Sequence, residues 1–190
     1  MIIKIGVSGN EGSFSEEAAN YICQKNAIKD YTLEYLISVE SVLSALKDGV
    51  IDRGVFPIEN SNGGIVYEAV YAMAKHTFTI EQIFEIDVRH NLMVVPGTKS
   101  ADIKTIASHQ QALKQCRMYL RRTWEAAELK EWSDTAQAAK DLAGGVLSPD
   151  TAIIAPKRAA ELYGLEIMEE NIQDLKFNFT TFILAIKKIV

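Results

Sequence analysis

The sequence has 190 residues, 48% hydrophobic and 24% charged, with a net charge of −5 at pH 7 and an isoelectric point near 5.3. That balance excludes a disordered chain and is enough for one large domain or two small lobes. It also excludes the one-sided basic surface of a nucleic-acid binder, so the expected partner is a small molecule or another protein.

In chain order, IIKIGV at 2–7 predicts a buried strand, and a Ser13-x-x-Glu16 capping box opens a helix after it. LEYLI at 33–37 predicts a second strand, followed by a helix capped by Ser38 and closed at Gly49. GVFPI at 54–58 is a third strand and IVYEAVYAMAKH a third helix, a βαβαβα series whose default outcome is a parallel sheet. An extended run at 79–95 reads as a crossover, after which the pattern restarts. IKTIA at 103–107, a helix capped by Ser108, AELKEW at 127–132, a helix capped by Ser133, AIIA at 152–155 and a helix between Pro156 and Gly164 follow in turn. Residues 165–174 then read as a return crossover that brings TTFILAIKK back to the first half. The expected fold is therefore α/β in two lobes, with residues 1–78 plus 175–190 in the first and 79–174 in the second.

The two cysteines, Cys23 and Cys116, lie in helical patterns with no metal-ligand spacing, which predicts small core side chains and no metal. No window approaches the roughly 18 apolar residues of a membrane span, and the N-terminal apolar run is too short for a signal peptide. A cytoplasmic location without membrane contact is the expectation.

Four polar segments stand out. GNEGSFSEEAA at 9–19 is a glycine-rich turn between strand and helix, whose amides around Ser13 suit an anion or serve a plain capped turn. PIENSNGGIVYEA at 57–69 crowds Glu59, Asn60, Ser61 and Asn62 at the C-terminal end of a strand, where open α/β sheets bind ligands, before the Gly63-Gly64 turn. SHQQALKQC at 108–116 puts His109 in the first turn of a helix, where the dipole favours a neutral ring; a packing role is the alternative. His76 and His90 have no neighbouring ligand pattern and read as structural. In NIQDLKFNFTTF at 171–182, Thr180 and Thr181 are consecutive in an extended segment, so only one hydroxyl addresses a given face.

With these segments in order, the chain resembles the catalytic domain of prephenate dehydratase from end to end. GNEGSFSEEAA is similar to the family's glycine-rich opening, FPIENSNGGIV to its ENS segment, RHNLMVVPG to its central His-Leu turn, SHQQALKQC to its Ser-His-x-Gln-Ala motif and IAPKRAAELYGLEIMEENIQD to its late helix and strand. The resemblance implies two Rossmann-like lobes around a cleft, as in type 2 periplasmic binding proteins. It implies decarboxylative dehydration of prephenate to phenylpyruvate, with no cofactor. Thr180 is the implied catalytic residue, with Glu59 as an acid if burial raises its pKa. Ser13, Asn60, Ser61, Gly64, His109, Asn178, Thr181 and Phe182 are the implied substrate contacts. The family motif Asn-x-Thr-Arg-Phe appears as Asn178-Phe179-Thr180-Thr181-Phe182, so Thr181 stands where a guanidinium would hold a carboxylate, and Lys176 or Arg53 are candidate replacements. A homodimer is implied too. Many family members carry a further regulatory domain after the catalytic one, whereas this sequence stops at Val190, so a stand-alone catalytic domain is expected, with regulation or chorismate mutase activity supplied by a separate partner. Two other readings keep this fold: a non-aromatising prephenate decarboxylase, and a small-molecule binding protein without catalysis.

Overall fold

The computed structural model describes residues 2–188. The backbone forms β1 (Ile3–Val7), α1 (Phe14–Lys25), β2 (Tyr31–Tyr35), α2 (Val39–Asp48), β3 (Arg53–Asn60), β4 (Gly64–Ile65), α3 (Tyr67–Lys75) and β5 (Phe78–Asp87). It continues through β6 (Asn91–Val94), a short 3-10 turn at Ser100–Asp102, β7 (Thr105–Ser108), α4 (Gln110–Gln115) and α5 (Arg117–Thr123). Then come β8 (Glu128–Glu131), α6 (Thr135–Ala143), β9 (Thr151–Ala155), α7 (Lys157–Tyr163), β10 (Glu166–Glu169) and β11 (Phe179–Lys187). Two compact units result: one runs to Asp87 and resumes at Phe179, and the other is Val88–Asn178.

The first unit is a sheet in the order β2-β1-β3-β11-β5, with β4 added to β3. β1 is parallel to β2 and β3, as the alternating pattern predicts. β11 runs antiparallel between β3 and β5. β5 is thus a full member of this sheet and not a crossover; its alternation buries Phe84, which stacks on Phe182 at 5.9 Å between ring centroids. On one face α1 packs Ile22 against Ile5, Val7 and Phe182, and on the other α2 and α3 pack Leu43, Leu46 and Ala72 against Phe56 and Ile183. Ser13 caps α1 through a bond from the Glu16 amide, and α2 runs from Ser38 to a left-handed Gly49.

The second unit is a sheet in the order β10-β6-β9-β7-β8. β7 is parallel to β8 and β9, while β6 is antiparallel to β9 and to β10, so residues 166–169 are a paired strand within this unit. Two expected caps move by one residue. Ser108 is the last residue of β7, its hydroxyl donating to the Ile154 carbonyl at 2.6 Å, and His109 caps α4 instead. Asp134, not Ser133, caps α6 by accepting from the Gln137 amide. Both cysteines are buried, and burial pushes the Cys23 thiol up to about 11 and Cys116 higher still.

Candidate active site

In the first unit the β3–β11 ladder sets Thr180 directly opposite Asn60. Asn60 ends β3 in a tight turn: its Oδ1 accepts from the amides of Asn62 at 3.0 Å and Gly63 at 2.7 Å. Because two backbone donors claim that oxygen, the amide nitrogen faces the other way. It donates to Thr180 Oγ1 at 2.8 Å and to the Phe179 carbonyl at 3.2 Å. Ser61 clamps the same strand end twice, its amide donating to the Phe179 carbonyl and its Oγ accepting from the Phe179 amide at 3.0 Å. Gly64 pairs with Asn60 at φ 77°, a conformation that a side chain would strain even though the space around it is open. Asn60 and Thr180 are buried, so the hydroxyl sits in surroundings where a hydrogen bond is strengthened.

The same ladder corrects three assignments. Side chains alternate along a strand, so Thr181 points away from Thr180, and its hydroxyl donates to Glu85 Oε1 on β5 at 3.3 Å. Glu59 is the direct partner of Thr181 across β3, which places it on that opposite face, and it is exposed. Neither the burial nor the position expected of an acid beside Thr180 is therefore met. Phe182 is a core residue at 1% exposure, stacked on Phe84, and has no surface to offer a ligand. Arg53 is committed to Glu81 by a two-pronged pair at 2.7 and 3.0 Å, and is not a replacement cation for position 181. Lys176 is exposed.

The glycine-rich turn takes its capped-turn form. Gly12 donates to Glu16 Oε2 at 2.6 Å, Ser13 to the Asn10 carbonyl at 3.2 Å, and Glu16 to Ser13 Oγ at 3.3 Å. Those three amides are satisfied within the turn and are not an anion cradle. Ser13 itself is buried, with its hydroxyl serving the helix.

In the second unit His109 is exposed, and its Nδ1 accepts from the Gln111 amide at 3.2 Å, a bond that places any ring proton on Nε2. Asn178 is fully buried and donates through Nδ2 to Gln115 Oε1 at 2.9 Å. The same oxygen lies 2.7 Å from Nε2 of His90, which is also buried, and that burial lowers the His90 pKa against the opposing effect of the Gln115 bond. Sequence reasoning treated His90 as structural and passed over Gln115; the signal was the polar RHN turn entering an otherwise buried strand. Asp174 accepts from the Met118 and Tyr119 amides at 2.8 and 2.9 Å and so caps α5.

The chain matches the prephenate dehydratase family model over residues 5–189. It belongs to that family. A relative named arogenate dehydratase 1, from Petunia hybrida, is 32% identical over 186 residues, covering 98% of this chain and 42% of the relative. A bifunctional chorismate mutase/prephenate dehydratase of Stutzerimonas stutzeri is 31% identical, covering 96% of this chain and 48% of its own length. The chain thus spans less than half of either relative. Among solved structures, a prephenate dehydratase of Arthrobacter aurescens in complex with L-Phe superposes with a TM-score of 0.88 at 26% identity, over 99% of this chain and 61% of that one. A nutrient-binding protein from Burkholderia cenocepacia shares the fold at a TM-score of 0.53 and 14% identity, over 98% and 85% of the two chains. The family's α/β architecture, similar to that of periplasmic binding proteins, is accordingly the fold of this chain. Among the described residues no helix is long and apolar enough to cross a membrane.

Proposed function

We propose that this chain is a lyase that converts prephenate to phenylpyruvate in phenylalanine biosynthesis. One observation carries the reading: Asn60, its own oxygen held by two turn amides, turns its amide nitrogen to Thr180 Oγ1 and donates to it. The hydroxyl oxygen is therefore an acceptor towards Asn60, which leaves the hydroxyl hydrogen to be aimed at a leaving group. As the ring carboxylate departs as carbon dioxide, its bonding pair enters the ring and expels the hydroxyl at the opposite carbon. Thr180 stabilises that departing oxygen by hydrogen bonding, and aromatisation makes the step downhill. Thr180 is the catalytic residue in this reading. Asn60 and Ser61 hold it in place.

The name of the Petunia relative adds arogenate, the amino counterpart of prephenate, as a second substrate to try. The Stutzerimonas relative is named for chorismate mutase and prephenate dehydratase together, which suggests a chorismate mutase as a partner for this chain; a cytoplasmic homodimer and separately supplied regulation complete the reading on the family resemblance alone. Incubation of the purified chain with prephenate and with arogenate, followed by ultraviolet spectra and mass analysis, tests the reading. Phenylpyruvate or phenylalanine establishes the dehydratase and names its substrate. A dihydro-hydroxyphenyl product establishes the non-aromatising decarboxylase instead, and two unconsumed substrates establish a binding protein.

A further inference from the structure

We propose that a cavity in the second unit, walled by Trp124 and Glu169, is a binding site for a small protonated amine carried on an aromatic or other apolar body. The site is separate from the dehydration and does not depend on it. The cavity measures about 460 Å³, within the ordinary range of small-molecule sites, and lies between the 3-10 turn, the end of α5 and β10. Ile103, Trp124 and Ala127 supply apolar wall, Ser100 and Thr123 hydroxyls, and Glu169 a carboxylate. Backbone bonds preform these walls. The Ile103 amide donates to the Ser100 carbonyl at 3.3 Å, the Trp124 amide to the Leu120 carbonyl at 2.8 Å and the Ala127 amide to the Trp124 carbonyl at 3.0 Å. Ile103 belongs to a buried core cluster, and Trp124 and Ala127 pack against it.

Two features bring the chemistry to this cavity. The first is a bulge in β10. Its ladder with β6 pairs Ile167 with Met93 and Glu169 with Leu92, so Met168 is an extra residue between two consecutive partners. Ile167 packs against one core cluster of the unit and Met168 against the other, and regular alternation would return Glu169 to the side of Ile167. The bulge keeps Glu169 on the side of Met168, where it lines the cavity. Neighbouring acids are engaged elsewhere: Glu166 accepts from the Gly97 amide at 2.9 Å, and Glu170 pairs with Lys157 at 3.2 Å. Among the described residues Glu169 is the one charged side chain of the lining, and no Lys or Arg forms an ion pair with it. The second feature is the setting of the indole. Trp124 Nε1 donates to Tyr119 Oη at 2.9 Å, so the ring's one polar atom is occupied and its carbon surface is left for the cavity. Burial raises the Tyr119 pKa, the Trp124 bond opposes that, and a hydrogen bond to Glu169 adds to the rise. Tyr119 thus accepts from Trp124 and donates to Glu169, which ties indole and carboxylate into one wall. Such a wall selects an ammonium joined to an apolar body: the ammonium meets the carboxylate, the body covers Trp124 and Ile103, and an anion is repelled.

The test follows the assigned proton–nitrogen NMR spectrum of the full chain during titration with three probes of similar shape: phenethylamine, the neutral phenethyl alcohol and the anionic hydrocinnamate. We expect the amine to shift the Trp124 indole N–H and the Ala127 and Glu169 amides saturably, with the Trp132 indole unmoved as the internal control. The amine should bind about fivefold or more tightly than the alcohol, and hydrocinnamate should leave the same signals in place. In Glu169→Gln, whose side-chain oxygen still accepts from Tyr119, the amine is expected to fall to the level of the alcohol. The proposal is overturned by the absence of a saturable shift with the amine, by shifts confined to other residues, or by equal binding of the amine and either other probe. Unchanged binding of the amine in a folded Glu169→Gln variant overturns it too. If that variant does not fold, the order of the three probes in the unaltered chain decides alone. Turnover of prephenate, or its absence, bears on the dehydratase reading and leaves this result untouched.

Discussion

Asn60 and Thr180 share a hydrogen bond across two antiparallel strands, and the turn amides behind Asn60 fix its direction. Thr180→Val keeps the branched shape and removes the hydroxyl, so turnover should fall by on the order of a hundredfold or more with little change in melting temperature. In Asn60→Asp the turn acceptor survives but the donor to Thr180 is lost. The hydroxyl is then drawn back towards the carboxylate, and kcat should drop more than KM rises. Steady-state kinetics on both variants check this, and a fully active Asn60→Asp variant would count against the assigned geometry.

Position 181 gives a second test. A guanidinium there would lie between Glu59 and Glu85, each its direct partner on a neighbouring strand. Thr181→Arg is therefore expected to raise stability by a few tenths to about 1 kcal/mol, as cross-strand opposite charges do, and to leave KM within about threefold. Glu59→Gln should likewise keep its activity. A large fall in KM on introducing the arginine would show instead that position 181 touches substrate.

Phe182 belongs to the packing. Its truncation in Phe182→Ala opens a cavity beside Phe84 and Val55, for which about 3–5 kcal/mol of destabilisation is expected in urea melts. Activity measured well below the melting transition should persist. Specific loss of substrate binding in a folded variant would return Phe182 to the site.

His90 also predicts a pH dependence of stability. Its folded pKa is depressed below 6.5, so well above neutral pH the ring is unprotonated in both folded and unfolded chains. As pH falls through about 6.5 the unfolded chain takes up a proton that the folded one resists, and stability declines until the folded pKa is reached. Melting temperatures recorded between about pH 7.5 and 5.5 should therefore slope downwards more steeply for the unaltered chain than for His90→Gln. Parallel curves would mean that the ring titrates normally.

Local signals were legible in the sequence, and non-local ones only in part. The caps at Ser13, Ser38, Gly49 and Gly164 each involve residues a few positions apart, and the structure places them as expected. Strand alternation alone showed that one of Thr180 and Thr181 had to turn away. Which one, and that Glu59 turns with Thr181, depends on a ladder between β3 and β11 that no local pattern encodes. The same holds for β5 and β10, whose partners lie far along the chain, so they read as crossovers when in fact they close sheets. The Ser108 cap failed by one residue because the β7 ladder claims that position. That His90 and Gln115 join Asn178 escaped because their hydrogen bonds link three polar side chains from three separate segments.

The place of β11 has a consequence for how the chain comes to be folded. β3 and β5 are both synthesised before the second unit, yet the strand that joins them arrives only after it. Until then the first unit has two unpaired strand edges and half of a core, with Phe84 and Val55 waiting for Phe182 and Leu184. The second unit, by contrast, is continuous in sequence and can complete its sheet as soon as it emerges. A nascent or prematurely ended chain that stops short of Phe179 therefore carries a sticky, unfinished half, whose natural hazard is strand pairing with a neighbour.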